Sequence, residues 1–308
     1  MTTNQSSAAS NLVQETTGMT MEVADANDPV EREYQRLLEL DNDSQADVDR
    51  WITDNDKLAG TGAASDKGTL RARIEQRFTP VEKRYRAFLD RHPRHVRGLM
   101  AYGSFLGDIG REDEAAEQYI KARDLDPKNP APWNNLANFY GHNGPLTNAF
   151  ACYEKAIGLN PKEPVYYQNF ATTIYLFRWD ATNYFNISQQ QVFDKAMALY
   201  SKALTLDPEN FPLATDLAQT YYGIRPPRVA EAFKAWNDAL KLASDDVERE
   251  GVHVHLARWH KTAGDLEAAR RELGLVTNQM YRTTKELILK NLTKAEGTNV
   301  SAAVTVPK

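Results

Sequence analysis

Apolar residues between positions 96 and 276 recur with a period of 34 residues, in two short runs per period. In the first run they occupy repeat positions 4, 7, 8 and 11, which is the spacing of one face of an α-helix. In the second run they occupy positions 20, 24 and 27, which form the apolar face of a second helix. In the first two copies, 96–129 and 130–163, these positions hold Leu99, Tyr102, Gly103, Leu106, Ala115, Tyr119 and Ala122, then Trp133, Leu136, Ala137, Tyr140, Ala149, Tyr153 and Ala156. The pattern predicts consecutive pairs of helices that pack against each other.

Residues that end helices separate these runs. Repeat position 15 is Gly110 in the first copy and Gly144 in the second, and glycine tolerates the left-handed conformation that ends many helices. Positions 31 and 32 are Asp126-Pro127 and Asn160-Pro161. Because proline lacks an N–H donor and clashes in a helix interior, we expect the second helix of each copy to end before it.

Three further copies depart from the strict period. The third copy, 164–210, contains a 13-residue insertion, 179–191, between its two helices. Ser188 stands three residues before Gln191, which predicts an N-cap and an early start of the second helix. The fourth copy, 211–249, is two residues longer, with Pro226-Pro227 in its turn, and the fifth copy covers 250–276.

The insertion carries the aromatic residues Trp179, Tyr184 and Phe185. Two interpretations of them stay open. These side chains fold back onto the neighbouring repeats, or they form a wall at one end of a binding groove, since aromatic residues are enriched at binding hot spots.

The flanking segments predict helices at both ends of the repeats. Residues 1–26 are rich in Ser, Thr, Asn and Ala, and we predict that they are a disordered tail. Within 27–95 the pattern predicts helices at 28–40 and 44–58, a linker at 60–68, and a helix that opens at the capping-box sequence Thr79-Pro80-Val81-Glu82. Residues 69–93 have the spacing of a degenerate repeat. Leu287, Ile288 and Leu292 predict a capping helix within 277–296, followed by a flexible tail, 297–308.

Composition argues against several classes of protein. The net charge of −5 disfavours a nucleic-acid groove, and no run of about 18 apolar residues predicts a membrane span. Neither a signal peptide nor a disulfide pattern is present, so a cytoplasmic location is the default expectation, with a periplasmic one open if an upstream signal is missing.

Candidate catalytic and metal-binding residues are sparse. His253 and His260 are seven residues apart, about 10 Å along a helix with a rise of ~1.5 Å per residue, which is too far for two ligands of one zinc ion. The sequence contains no nucleophile elbow, zinc-protease motif, phosphate-binding loop or Cys-x-x-Cys pair. We therefore predict no enzyme activity, no metal and no cofactor.

The repeated residues resemble the tetratricopeptide repeat, whose pattern is W-x2-L-G-x2-Y, then A-x3-F, then P. The resemblance covers residues 96–276. It implies an all-α fold, a right-handed superhelical α-solenoid of tetratricopeptide helix pairs with N-terminal helices and a C-terminal capping helix.

In this family the first helix of each pair lines the concave face through repeat positions 2, 5, 6, 9, 12 and 13. Transferred to this chain, those positions include Ser104 and Asp108 in the first copy, His142 in the second and His255 in the fifth. An amide side chain suits peptide capture, because it donates and accepts a hydrogen bond at the same time. The predicted partner-binding residues, with Trp179 of the insertion added, are Asn135, Asn138, Asn169, Thr172, Tyr175, Asp216, Gln219, Tyr222, Arg258 and Trp179.

The resemblance implies a non-catalytic scaffold or adaptor that binds an extended peptide or a partner helix in its concave groove. Two alternatives stay open: an accessory or regulatory subunit of a separate enzyme or of an envelope or polysaccharide assembly complex, and a scaffold that associates with itself. The expected partner is a protein or peptide, with no nucleic acid and no membrane span. The sequence does not predict the partner's identity or the oligomeric state.

Overall fold

The structure, a computed structural model, describes residues 28–59 and 64–304, with side chains described as far as residue 294. These residues form fourteen α-helices and two short 3-10 helices, and no β-strand occurs among them. The predicted all-α class is confirmed. The predicted disordered tail, 1–26, lies outside the described residues.

The chain divides into two compact units, Met1–Tyr166 and Tyr167–Lys308. The helices of the first unit are α1 (Pro29–Ala59), α2 (Lys67–Arg91), α3 (Val96–Asp108), α4 (Glu112–Leu125), α5 (Pro130–Asn143) and α6 (Leu146–Leu159). Helix α7 (Pro164–Leu176) contains the boundary. The second unit continues with α8 (Arg178–Phe185), α9 (Gln189–Leu206), α10 (Phe211–Thr220), α11 (Val229–Leu242), α12 (Asp246–Thr262), α13 (Leu266–Gly274) and α14 (Arg282–Val304), with 3-10 helices at Tyr221–Gly223 and Gln279–Tyr281.

The predicted turn residues end the helices of the repeats. The predicted turn glycines Gly110 and Gly144 adopt φ angles of 78° and 71°, and Gly264 of the fifth copy adopts 83°, a region that favours glycine because it has no Cβ. Helices α4, α6 and α9 each end one residue before an Asp-Pro or Asn-Pro pair. The repeat period therefore predicted these helix ends correctly.

Helices α1 and α2 form a long antiparallel pair that differs from the prediction. The sequence pattern predicted two helices in 28–58, but Ser44 lies inside α1, where its hydroxyl donates to the carbonyl oxygen of Leu40 at 2.6 Å. No glycine or proline interrupts α1, so nothing ends the helix there. Arginines of α2 pair with carboxylates of α1, as in Arg77–Asp47, and Arg73 stacks on the ring of Trp51 at 3.7 Å.

The predicted helix start at Thr79 is wrong. Helix α2 begins at Lys67, with the Asp66 side chain as its N-cap, and Pro80 lies in its interior. The Thr79 hydroxyl donates back to the Glu75 carbonyl oxygen at 2.7 Å instead of capping a new helix. Phe78, Val81, Tyr85 and Phe88 form one buried face across the proline, and their burial offsets the missing backbone hydrogen bond.

In the second unit, α14 covers the last repeat. Ile288 and Leu292 pack with Leu273, Val276 and other buried residues of α12 and α13. Leu287, which the pattern placed on the same face, is instead 58% exposed. Helix α14 continues to Val304, past the predicted end at 296, because a single glycine at 297 weakens a helix without ending it. No helix in the described ranges is long and apolar enough to cross a lipid bilayer.

Candidate functional site

The polar faces of two successive repeats in the first unit meet at one open cavity of about 330 Å³. Helices α3, α4 and α5 supply its walls. The lining residues are Ser104, Gly107, Asp108, Glu112, Ala115, Tyr119, Asn135, Asn138, Phe139 and His142. Six of them, Ser104, Gly107, Asp108, Asn135, Asn138 and His142, occupy repeat positions assigned to the concave face by the family resemblance. The structure thus brings Asn135 and Asn138 together at one cavity.

Glycines on α3 set the shape of this region. Gly107, at repeat position 12, lines the cavity, and a Cβ built there would meet nothing within 4 Å. Gly103, at position 8, lies on the packed side, where a Cβ would come within 2.4 Å of the Tyr119 ring. The close approach at Gly103 holds α4 against α3, and the missing side chain at Gly107 leaves the space open.

A tyrosine at repeat position 24 reaches the side chain at position 9 of the same repeat. Tyr153 donates to Asn138 Oδ1 at 2.6 Å, and the hydroxyls of Tyr200 and Thr172 are 2.7 Å apart. The Tyr119 hydroxyl bonds with Ser104 and with Asn135. Burial raises the pKa of Tyr119, so this hydroxyl keeps its proton. Asn138 and Thr172 therefore also hold their own helix pairs together. This pairing was not predicted from the sequence, although a polar residue at position 9 together with a tyrosine at position 24 indicates it.

The cavity is acidic. Burial raises the pKa of Asp108, whose carboxylate Oδ2 lies 3.5 Å from the Gln45 amide nitrogen. The Glu112 carboxylate accepts from Asn143 Nδ2 at 2.6 Å. None of the described lining residues is a lysine or arginine. The cavity can therefore accept hydrogen bonds and favour positive charge.

The predicted residues of the second unit fall into separate contacts. Asp216 Oδ2 accepts from Gln168 Nε2 at 2.8 Å, so this carboxylate is partly satisfied within the protein. Gln219 is exposed on α10, and Asn169 is half-buried on α7. Tyr175 packs against Phe193, with its hydroxyl over Gly223.

Tyr222 and His255 form an aromatic cluster with Trp236 and Trp259 in the second unit, and Arg258 bonds with the Tyr222 hydroxyl. Tyr222 stacks on Trp259 with ring centroids 5.0 Å apart, and its hydroxyl lies 3.0 Å from His255 Nδ1. His255 stacks on Trp236 with centroids 4.0 Å apart and ring planes within 6°. Burial, and secondarily Arg258, lowers the pKa of His255 to about 4. Burial raises the pKa of Tyr222 to about 12. The structure brings Tyr222 and Arg258 together, around a histidine outside the predicted set of binding residues.

The insertion forms α8, and its aromatic residues differ in how far they pack against the rest of the protein. Phe185 packs on Phe170 with centroids 6.2 Å apart and on Tyr184 at 4.9 Å, so these rings fold back onto the repeat. Trp179 is 66% exposed. The predicted N-cap is present, because Ser188 and Gln191 form a reciprocal capping box.

Among the described residues, no three His, Cys, Asp or Glu side chains form a group that could hold a metal ion. The single cysteine, Cys152, is buried, and burial raises the pKa of its thiol.

Comparison with known families identifies two matching segments. A family model described as TmcB, TPR repeats matches residues 68–127, and a model described as tetratricopeptide repeat matches residues 131–163. No curated protein sequence matches this chain significantly.

Solved structures share the fold at low sequence identity. The type IV pilus biogenesis factor PilW is 14% identical with a TM-score of 0.54, covering 71% of this chain and 94% of its own. PilF of Pseudomonas aeruginosa is 16% identical with a TM-score of 0.52, covering 82% and 99%. YrrB, described as a TPR protein with an unusual peptide-binding site, is 12% identical with a TM-score of 0.50, covering 67% and 97%. With helix pairs at the repeat period and two matching family models, residues 68–127 and 131–163 of this chain contain tetratricopeptide repeats.

Proposed function

We propose that this chain is a non-catalytic scaffold that binds an extended peptide segment or a helix of a partner protein at the first-unit cavity. Tetratricopeptide repeats suggest a protein–protein interaction scaffold, and repeat proteins use such surfaces for binding. The observation that carries the proposal is the convergence of amide, carboxylate and histidine side chains from two successive repeats on one open cavity.

The chemistry of the cavity suits a polypeptide. The Oδ1 atoms of Asn138 and Asn135 already accept from Tyr153 and Asn134, and the Nδ2 groups of both amides can donate to the C=O groups of an extended chain. Tyr119 and Phe139 add aromatic surface beside them. The volume is at the lower end of the ~300–1,000 Å³ typical of ligand pockets, so it fits one or two side chains and the backbone between them.

The glycine at position 107 provides the test. Peptides are selected from a phage-displayed library of random 12-residue sequences against the immobilised full chain, and their affinities are measured by fluorescence polarisation. Gly107→Tyr places a ring at the cavity, and a Cβ at this position meets nothing within 4 Å. We expect it to weaken binding at least tenfold.

Gly158→Tyr is the matched control. Gly158 also lies in a helix with nothing within 4 Å of its Cβ, but it does not line the cavity. We expect this variant to bind the peptides like the unmodified chain, and both variants to keep the circular dichroism spectrum of a helical protein. Selected peptides that bind all three proteins equally would refute the proposal, and so would a failure to select any peptide.

A further inference from the structure

The two carboxylates of the first-unit cavity form no ion pair with a lysine or arginine among the described residues. Elsewhere in the unit, arginines pair with carboxylates as Arg97–Glu31, Arg91–Glu33, Arg77–Asp47, Arg111–Glu82 and Arg111–Glu114. Asp108 and Glu112 contact only the side-chain amides of Gln45 and Asn143 within the described residues. Two negative charges therefore face the cavity without a cation.

The nearest sequence neighbour that could neutralise them is occupied elsewhere. Arg111, between the two in sequence, donates to Glu114 and Glu82. His142 is the only basic side chain among the described lining residues. No lysine or arginine among the described residues pairs with either carboxylate, so a cation of a bound partner can do so.

A third carboxylate strengthens the negative field beside the cavity. Asp41 accepts from the Tyr85 hydroxyl at 2.6 Å through Oδ2, while its Oδ1 is buried and has no hydrogen-bond partner among the described residues. Gln45 interacts with both Asp41 and Asp108. Burial raises the pKa of both acids, and the charge of Asp108 adds to the effect on Asp41. A nearby cation would relieve this repulsion.

We infer that the partner segment bound at this cavity carries a lysine or arginine whose cation pairs with Asp108 and Glu112. The inference rests on the proposed function, since it names the ligand chemistry of the same cavity. Tyr119, Phe139 and Ala115 supply apolar surface along which the methylene stem of such a side chain packs. An arginine would in addition bond a carboxylate through two parallel N–H groups.

The selected peptides test the inference directly. We expect them to share a basic residue, and a synthetic peptide in which that residue is replaced by glutamine should bind about fivefold more weakly or worse. Asp108→Asn in the full chain should weaken the parent peptide by a similar factor. Combining the peptide and protein changes should cost little more than either alone, because both remove the same ion pair.

Matched variants separate charge from fold and from general electrostatics. Asp90→Asn removes the same charge from an exposed position on α2 that does not line the cavity, and we expect it to leave the affinity unchanged. Glu112→Gln removes the second carboxylate and should act in the same direction as Asp108→Asn, with circular dichroism confirming that both variants fold.

The possible failures are distinguishable. Peptides that lose affinity with Gly107→Tyr but contain no basic residue, or that bind Asp108→Asn as well as they bind the unmodified chain, would overturn the inference and leave the proposed function standing. Peptides that bind Gly107→Tyr normally would overturn both.

Discussion

The residue at repeat position 12 differs between the cavity of the first unit and the aromatic cluster of the second unit. It is Gly107 in the first unit, where it opens onto the cavity. In the second unit it is Tyr175 in the third copy and Tyr222 in the fourth, and both rings pack against one cluster that contains Trp236 and Trp259. The same repeat geometry therefore gives an open polar face in one unit and a face filled by aromatic rings in the other, through the size of a single side chain.

The residue at repeat position 6 also differs between these two sites. Asn135 lines the cavity of the first unit, whereas His255 is stacked on Trp236 in the second. Both side chains are half-buried, but the Asn135 amide still lines the open cavity beside its bond to the Tyr119 hydroxyl, whereas the His255 imidazole is covered by the stacked Trp236 ring. A residue's repeat position therefore identifies the face of the helix pair on which it lies, whereas the local packing decides whether that face can bind a partner.

The largest expected effect is a pH dependence of the stability of the second unit. The pKa of His255 is lowered from 6.5 to about 4 when folded, so between these values only the unfolded chain binds the proton. The free energy of unfolding should therefore fall as the pH drops from 6.5 toward 4, by about 3 kcal/mol for this group. Urea unfolding followed by tryptophan fluorescence measures the loss, since three of the five tryptophans, Trp179, Trp236 and Trp259, lie in the second unit.

Two glutamine variants isolate that contribution. His255→Gln cannot titrate, so its stability should depend less on pH than that of the unmodified chain. His142→Gln removes an exposed histidine of the first unit and should leave the pH dependence unchanged. If both variants lose stability in parallel with the unmodified chain, His255 does not carry the effect.

A smaller effect is expected at Gly223, where the Tyr175 side chain packs directly against the glycine. A Cβ on Gly223 would come within 2.1 Å of the Tyr175 hydroxyl and 2.8 Å of its ring. Gly223→Ala should displace that ring and destabilise the second unit by about 1–3 kcal/mol, as measured by urea unfolding. Adding Tyr175→Phe removes the closest atom, so the double variant should recover part of the loss. A fully additive double variant would show that the two residues do not interact.

Local repeat signals were sufficient to predict the helix pairs, their turn glycines and the prolines that end them. They failed for α1 and α2, because Ser44 and Thr79 look like helix starts in sequence yet bond backward within continuous helices. Whether a helix starts at such a residue or continues through it depends on the burial of its apolar residues on both sides, and that burial depends on which helix packs alongside. For the same reason the repeat position predicted Asn138 as a binding residue but did not predict its hydrogen bond to Tyr153. The ten predicted binding residues remain predictions until a partner is bound.

The smallest expected effect, and the one that most sharpens the comparison, is Gly107→Ala. Alanine favours a helix over glycine by up to about 1 kcal/mol, and its methyl group would meet no atom within 4 Å at this position. We therefore expect urea unfolding to show a first unit that is stabilised by about 0.5–1 kcal/mol, the opposite sign to Gly223→Ala. A loss of stability would mean that Gly107, like Gly223, is needed for packing, and that the cavity at Gly107 is not open space. A gain would mean that the glycine lowers stability while keeping the cavity open, as expected for a residue that serves binding.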